Sequence, residues 1–174
     1  PLKSINQFFN KEKARLQAKL GEKRKSSKKI KRLTHKRNNK IKDYLHKASR
    51  KVVDNLKQNN VSKVVIGKNP LWKQEINLKK KTNQNFVSIP HARFIDMLEY
   101  KCRLAGIKVT VQEESYTSKC SFFDYEPIRK YEKYKGYRSP RGILNTAKND
   151  LGKRKKINSD YNGALNILKK HLGE

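Results

Sequence analysis

Three carboxylates stand where a cation-dependent reaction could use them: Glu113 and Glu114, directly after a strand-like run, and Asp160, at the entry to a helix-like run near the C-terminus. Divalent ions such as magnesium take hard oxygen ligands, and an ion pair clamping the attacking and leaving oxygens of a phosphodiester needs several carboxylates converging. Strict alternation along Ile107–Gln112 puts Val109, Val111 and Glu113 on one face and Thr110, Gln112 and Glu114 on the other, so only one glutamate faces a given site. Asp160 also has a plainer use. Ala164, Leu165, Ile167 and Leu168 follow it at helical spacing and Lys169, Lys170 and His171 fill the last turn, which places Asp160 at the N-cap. Glu12, Glu22, Asp43, Asp54, Asp96 and Glu99 lie in or beside helices among lysines, where ion pairing accounts for them, and Asp124 and Glu126 are outside candidates. Neither a glycine-rich nucleotide loop nor a serine or cysteine triad is present.

The charge balance names the class of partner. Forty-four basic against fifteen acidic residues in 174 leave +29, a self-repulsion that a polyanion relieves, so nucleic acid is the expected partner. No apolar run reaches the roughly 20 residues of a membrane span, and the first residues lack a signal peptide's apolar region. The expected place is the cytoplasm, or the nucleoid with its DNA. Cys102 and Cys120 are too far apart for the paired spacing of a zinc ribbon and read as free thiols. A chain that starts at Pro1 and whose sole methionine is Met97 reads as a fragment or a processed product.

The elements that must position these residues follow from periodicity. Ile5, Phe8, Phe9, Leu16 and Leu20 predict a helix stopped at Gly21. Ser26-Ser27 offers a cap to a longer helix striped by Ile30, Leu33, Ile41, Tyr44, Leu45, Ala48, Val52 and Leu56. Between Leu33 and Ile41 this helix is polar all round, and Lys28, Lys29, Lys31, Arg32, Lys36 and Arg37 suit a phosphate backbone laid along it, although a solvated face has the same composition. Val61–Ile66 reads as a buried strand, residues 67–84 as a loop anchored by Trp72, and Pro90 as the opening of a helix closed by Gly106. Strand, helix and strand make a right-handed βαβ unit with parallel strands, both ending at one sheet edge. Residues 116–156 hold turns, tyrosines and charge; Lys119, Arg129, Lys130, Arg138 and Arg141 lie among tyrosines, as on a nucleic-acid surface or in a basic loop.

Gln84–Pro90, Glu113–Ser121 with its Thr117-Ser118-Lys119-Cys120-Ser121 block, and Asn158–Ala164 with its Asp160-Tyr161-Asn162-Gly163-Ala164 block together resemble the TnpB (OrfB) family of transposon-encoded proteins. The resemblance implies RNA-guided DNA endonucleases of insertion sequences, related to type V CRISPR effectors and active in transposition. It implies an α/β nuclease domain of RNase H-like, RuvC-type fold, with a target-nucleic-acid-binding insertion before the last helix. Partners would be DNA and a guide RNA. In that family three acids hold magnesium. The third matches Asp160, the first would precede Pro1, and the second falls at Gly67, where glutamate is missing. Either Glu114 or Glu113 supplies that carboxylate from the neighbouring strand, or the site is dead; relocation is favoured for an intact ancestor. The family's zinc ribbon keeps only Cys120, since Phe123 occupies the second cysteine's place, so no zinc is expected and tyrosine packing should hold the insertion.

The expectation is an incomplete RuvC-type sheet preceded by a long basic helical pair. Residues 1–60 form the pair, 61–115 the βαβ portion, 116–156 the insertion and 157–174 the closing helix. Asp160 and Glu114 would bind magnesium once an upstream aspartate completes the set, and the chain alone would be inactive. The competing readings are a nuclease-dead DNA- or RNA-binding protein in which Asp160 is a cap, and a degenerate transposon remnant.

Overall fold

The computed structural model describes residues 1–20, 24–69 and 90–173. Gly21, Trp72 and the Gln84–Ile89 part of the family-like stretch lie outside them. In chain order the elements are α1 (Leu2–Gln17), α2 (Lys28–Gln58), β1 (Lys63–Gly67), α3 (His91–Leu104), β2 (Lys108–Gln112), a 3-10 turn (Phe122–Asp124), β3 (Tyr137–Arg138), β4 (Ile143–Asn145), β5 (Lys156–Asn158) and α4 (Ser159–Leu172). The chain is therefore a mixed α/β protein. It divides into two compact units, one containing Pro1–Ser62 and α3, the other β1 and everything from Lys108 onward.

The first unit is helical. Ser27 caps α2 through its Oγ, which accepts from the Ile30 amide at 3.3 Å, as the sequence predicts. The buried ridge of α2 runs Ile41, Leu45, Ser49 and Val53, four residues apart, and Leu45 and Ile41 pack with Met97 of α3 and with Leu2, Ile5, Tyr44 and Phe94. This corrects the predicted stripe: Val52, assigned to the core, is exposed, and Val53 takes its place. A ridge of period four drifts round a helix of 3.6 residues per turn, so spacing alone left two adjacent stripes open. Helix α3, expected beside the strands, clusters with α1 and α2 in this unit, and Gly106, at φ +72°, follows its end.

Two polar contacts lock the unit. Arg37 donates through Nε and Nη2 to the Asn6 Oδ1 at 2.9 and 2.7 Å, and its guanidinium lies 5.5 Å from the centre of the Phe9 ring. Buried Lys101 on α3 donates to the His46 carbonyl and to Ser49 Oγ on α2, each at 2.6 Å. Burial pushes the Lys101 ammonium below its usual pKa, Arg50 adds to that and Asp54 opposes it.

A lysine that gives up its proton more readily when folded makes folding more favourable as pH rises from its lowered pKa toward about 10.5. The chain should gain stability across that window relative to Lys101→Met, in which the dependence on this group is absent. Lys101→Ala should cost about 2 kcal/mol by orphaning the two acceptors and leaving a cavity, read by urea unfolding followed by circular dichroism.

Candidate active site

The second unit is built on one parallel strand pair. β1 and β2 run in register from Lys63↔Lys108 to Gly67↔Gln112, and the Lys68 amide donates to the Gln112 carbonyl at 2.8 Å beyond the last pair. Residues 113 and 114 thus leave the same edge at which β1 ends. Glu113 accepts from the Ser115 amide at 2.7 Å and pairs with Lys170 of α4. The hydrogen bond from Lys170, followed by those from Ser115, holds its carboxyl down at about 2. Glu114, on the other face of the strand, is half-buried; desolvation and the neighbouring Glu113 charge raise its pKa.

Gly67 explains where the Glu114 side chain goes. A Cβ built on Gly67 would lie 2.5 Å from Glu114 Oε2 and 2.6 Å from Ile167 Cδ1. The space in which a side chain at position 67 would begin is occupied by the Glu114 carboxylate. Glu114 lines an open cleft of about 540 Å³ together with Asp160, Asn69, Ser115, Lys119 and Arg138.

Asp160 reaches that cleft because it is not the cap of its helix. Helix α4 begins at Ser159, and the Asn158 Oδ1 accepts from the amides of Asp160 and Tyr161 at 2.8 and 3.1 Å. Asn158 therefore performs the capping predicted for Asp160, and the Asp160 carboxylate sits exposed in the first turn. Among the described residues neither the Glu114 nor the Asp160 carboxylate has a side-chain hydrogen bond or ion pair, although the chain carries +29. No group of three or more His, Cys, Asp or Glu converges among those residues. Two hard-oxygen donors fit a divalent cation in kind and supply part of a ligand set.

The face of α4 that packs inward is polar. Ser159, Asn162 and Asn166 are buried, whereas Ala164 and Leu168 of the predicted apolar face are exposed. Asn162 Nδ2 and Asn166 Nδ2 donate to the Cys120 carbonyl at 2.9 and 2.8 Å, Asn166 also to the Thr117 carbonyl, and the Asn162 Oδ1 accepts from the Phe122 amide. This stripe binds the segment Thr117–Phe122 to the helix that carries Asp160. Nothing in hydrophobic periodicity reports such a stripe; the signal available was the Asn-x-x-x-Asn spacing of Asn162 and Asn166.

The insertion is organised by carboxylates, correcting the expectation of tyrosine packing. Glu126, 2 % exposed, accepts from the Ser121 amide at 2.8 Å and the Lys135 amide at 2.9 Å, and Asp124 accepts from the Ala147 amide at 2.9 Å. Cys120 is buried with its thiol donating to the Arg129 carbonyl, and burial raises its pKa. A small antiparallel sheet, ordered β3-β4-β5, stands where the residue pattern predicts turns; it buries Leu144 and delivers the chain to α4. The tyrosines do pair, Tyr131 edge-on to Tyr134 at 5.6 Å, under Arg129 and Lys119 respectively.

Of the cations singled out in the sequence, Lys28, Lys29, Lys31, Arg32 and Lys36 are exposed on α2, and Lys119, Arg129, Lys130, Arg138 and Arg141 are exposed in the second unit. Lys31, Arg32, Lys36 and Lys40 share one shallow groove of α2 with His35 and Asn39. Arg37 points the other way, toward Asn6 and Phe9. Arg138 donates to the Ser118 carbonyl at 2.8 Å and lines the carboxylate cleft with Lys119.

With fold and cleft in place, comparison with known proteins is informative. The OrfB_IS605 family model, described as "Probable transposase", matches residues 1–72, and the model described as "Cas12f1-like, TNB domain" matches residues 91–167. The TnpB-like protein ORF457 of Acidianus two-tailed virus is 32% identical over 121 residues, covering 68% of this chain and 22% of its own length. A solved Cas12f1–sgRNA–target DNA complex contains a chain 21% identical, with a TM-score of 0.58, covering 92% of this chain and 40% of that one. A CRISPR-Cas12f ternary complex gives 20% identity and a TM-score of 0.57, covering 92% and 32%. This chain belongs to the TnpB (OrfB) family of transposase-associated proteins. It spans well under half the length of these relatives.

Because the Glu113 pKa is lowered, its contribution to stability is complete above about 4.5 and is lost as pH falls toward 2. Glu113→Gln should flatten that part of an acid melting series, by no more than about 1 kcal/mol because the pair is partly exposed and screened. Glu126→Gln replaces one of two acceptors by a donor facing a backbone amide. It should cost roughly 2 to 3 kcal/mol, and Asn166→Ala about 1 to 3 kcal/mol, both read by chemical unfolding.

Proposed function

We propose that this chain is the C-terminal nuclease-domain part of an RNA-guided DNA endonuclease, with an RNase H-like, RuvC-type core in which Asp160 and Glu114 are two of the metal-binding carboxylates. The observation that carries this is the shared cleft. In a chain of +29, two carboxylates without hydrogen-bond or ion-pair partners among the described residues face one space, and Glu114 fills the volume beside Gly67 where a family-like glutamate would start.

Magnesium bound there would supply charge neutralisation of the phosphoryl oxygens and orientation of the attacking water. The chain's own residues prepare the place. Glu113 draws Lys170 to itself and keeps that ammonium paired away from Glu114. Asn158 relieves Asp160 of capping. Lys119, Arg138, Ser115 and Ser118 offer cationic and hydroxyl donors to a phosphate in the cleft. The exposed cations of α2 hold guide or target backbones without reading sequence. We further propose that the insertion folds without zinc, since Glu126 and Asp124 make the bridging contacts and Cys120 faces a carbonyl, and that the chain alone binds nucleic acid without cutting it.

In the full-length protein loaded with its guide, Asp160→Ala and Glu114→Gln should each lower magnesium-dependent cleavage by more than about 100-fold, since even outer-shell partners of a metal are worth up to that. Affinity for target DNA should stay within about twofold. Gly67→Ala should displace the Glu114 carboxylate and raise the magnesium concentration needed for half-maximal cleavage. Undiminished cleavage by Asp160→Ala, or parallel loss of stability and DNA affinity, would return Asp160 to a structural role and favour a binding protein without nuclease activity.

A further inference from the structure

Beside Asp160 of the carboxylate cleft the chain exposes aromatic rings. Tyr161 follows Asp160 in the first turn of α4, so its side chain leaves the helix about 100° round from the cleft-facing carboxylate. Tyr161 is 57% exposed, and the Phe123 ring, 36% exposed, lies 6.4 Å from it at an interplanar angle of 34°. Phe123 is itself fixed edge-on against Phe122 at 5.4 Å, and the Phe122 amide is tied to Asn162 on the helix. The neighbouring Tyr125 is 84% exposed. The fully buried residues of the unit are mostly polar, and none of these rings is among them. The turn that presents Phe123 is bonded to the helix that presents Tyr161.

We propose that Tyr161 and Phe123 form a stacking platform for an unpaired base of the strand whose phosphate occupies the cleft. An exposed π-face is sequence-tolerant and worth about 1 to 3 kcal/mol per base, and it works beside cations that take the backbone. Lys119 and Arg138 in the cleft supply that charge. A paired base offers no free face within a duplex, so the platform selects single-stranded polynucleotide next to the carboxylates. The exposed apolar residues Leu168 and Leu172 continue along the same flank of α4, Tyr161 has the Phe123 ring of another element beside it, and Tyr116, 38% exposed, lines the cleft itself. The inference rests on the nuclease reading and deepens it by naming the residues that hold a base beside the cleft.

The test is metal-free binding in EDTA, which needs no cleavage. A single-stranded DNA oligonucleotide carrying 2-aminopurine should lose fluorescence on binding this chain, and Tyr161→Ala, alone or with Phe123→Ala, should weaken its affinity about 5- to 100-fold and abolish the quench. Tyr161→Phe should retain both, and duplex affinity should change less than about twofold. Equal losses for single strand and duplex, or an unchanged quench in Tyr161→Ala, overturn the proposal. Should Phe123→Ala perturb folding, Tyr161→Ala decides alone, with its melting transition as control. Failure of cleavage by the full-length protein with the quench intact would sink the nuclease reading and leave the platform standing.

Discussion

The carbonyl of Cys120 is the point through which the second unit is held together. It accepts from Asn162 and Asn166, one turn apart on α4, and those two amides also engage the Phe122 amide and the Thr117 carbonyl. A buried carbonyl left without donors costs of order 1 to 3 kcal/mol, so a loop whose polar groups are buried against a helix must be matched donor to acceptor. That matching sets which face of α4 turns inward. Once Ser159, Asn162 and Asn166 face the insertion, Asp160 and Gly163 face the cleft and Tyr161 stands on the flank between cleft and solvent.

The two units rely on different physics. The helical unit buries Ile30, Ile41, Leu45, Val53, Met97 and Leu98 and uses polar contacts sparingly, through Arg37 and Lys101. In the strand-bearing unit the buried residues are mostly polar, with Leu144 and Cys120 as the apolar ones from Lys108 onward. Directional bonds there do what apolar area does elsewhere. Glu126 is the clearest case: one buried carboxylate joins the backbone amide five positions before it to the one nine positions after it.

Strong charge asymmetry gives the cleft its character. Against 44 basic residues, three carboxylates form ion pairs among the described residues: Glu113 with Lys170, Asp43 with Lys47 and Glu12 with Arg15. Glu114 is half-buried beside Gly67 and has no such partner among the described residues. Two adjacent residues of one strand end are thereby separated into an ion-paired anchor and an unneutralised carboxylate with a raised pKa.

Much of this was legible in the residues. Alternation in Lys108–Gln112 separated Glu113 from Glu114, Ser27 announced its helix, and the Thr-Ser-Lys-Cys-Ser and Asp-Tyr-Asn-Gly-Ala blocks pointed to the family, because local pattern and motif are properties of contiguous chain. Periodicity misplaced Val52 and the inward face of α4, since a helix shows its apolar side to counting whether or not that side is the one that packs. Which glutamate meets the cleft, and that Glu126 bridges the insertion, were decided only by the tertiary fold. Each depends on a partner 5 to 57 positions away in the chain, and hydrogen-bond satisfaction across such separations has no period for a sequence to display.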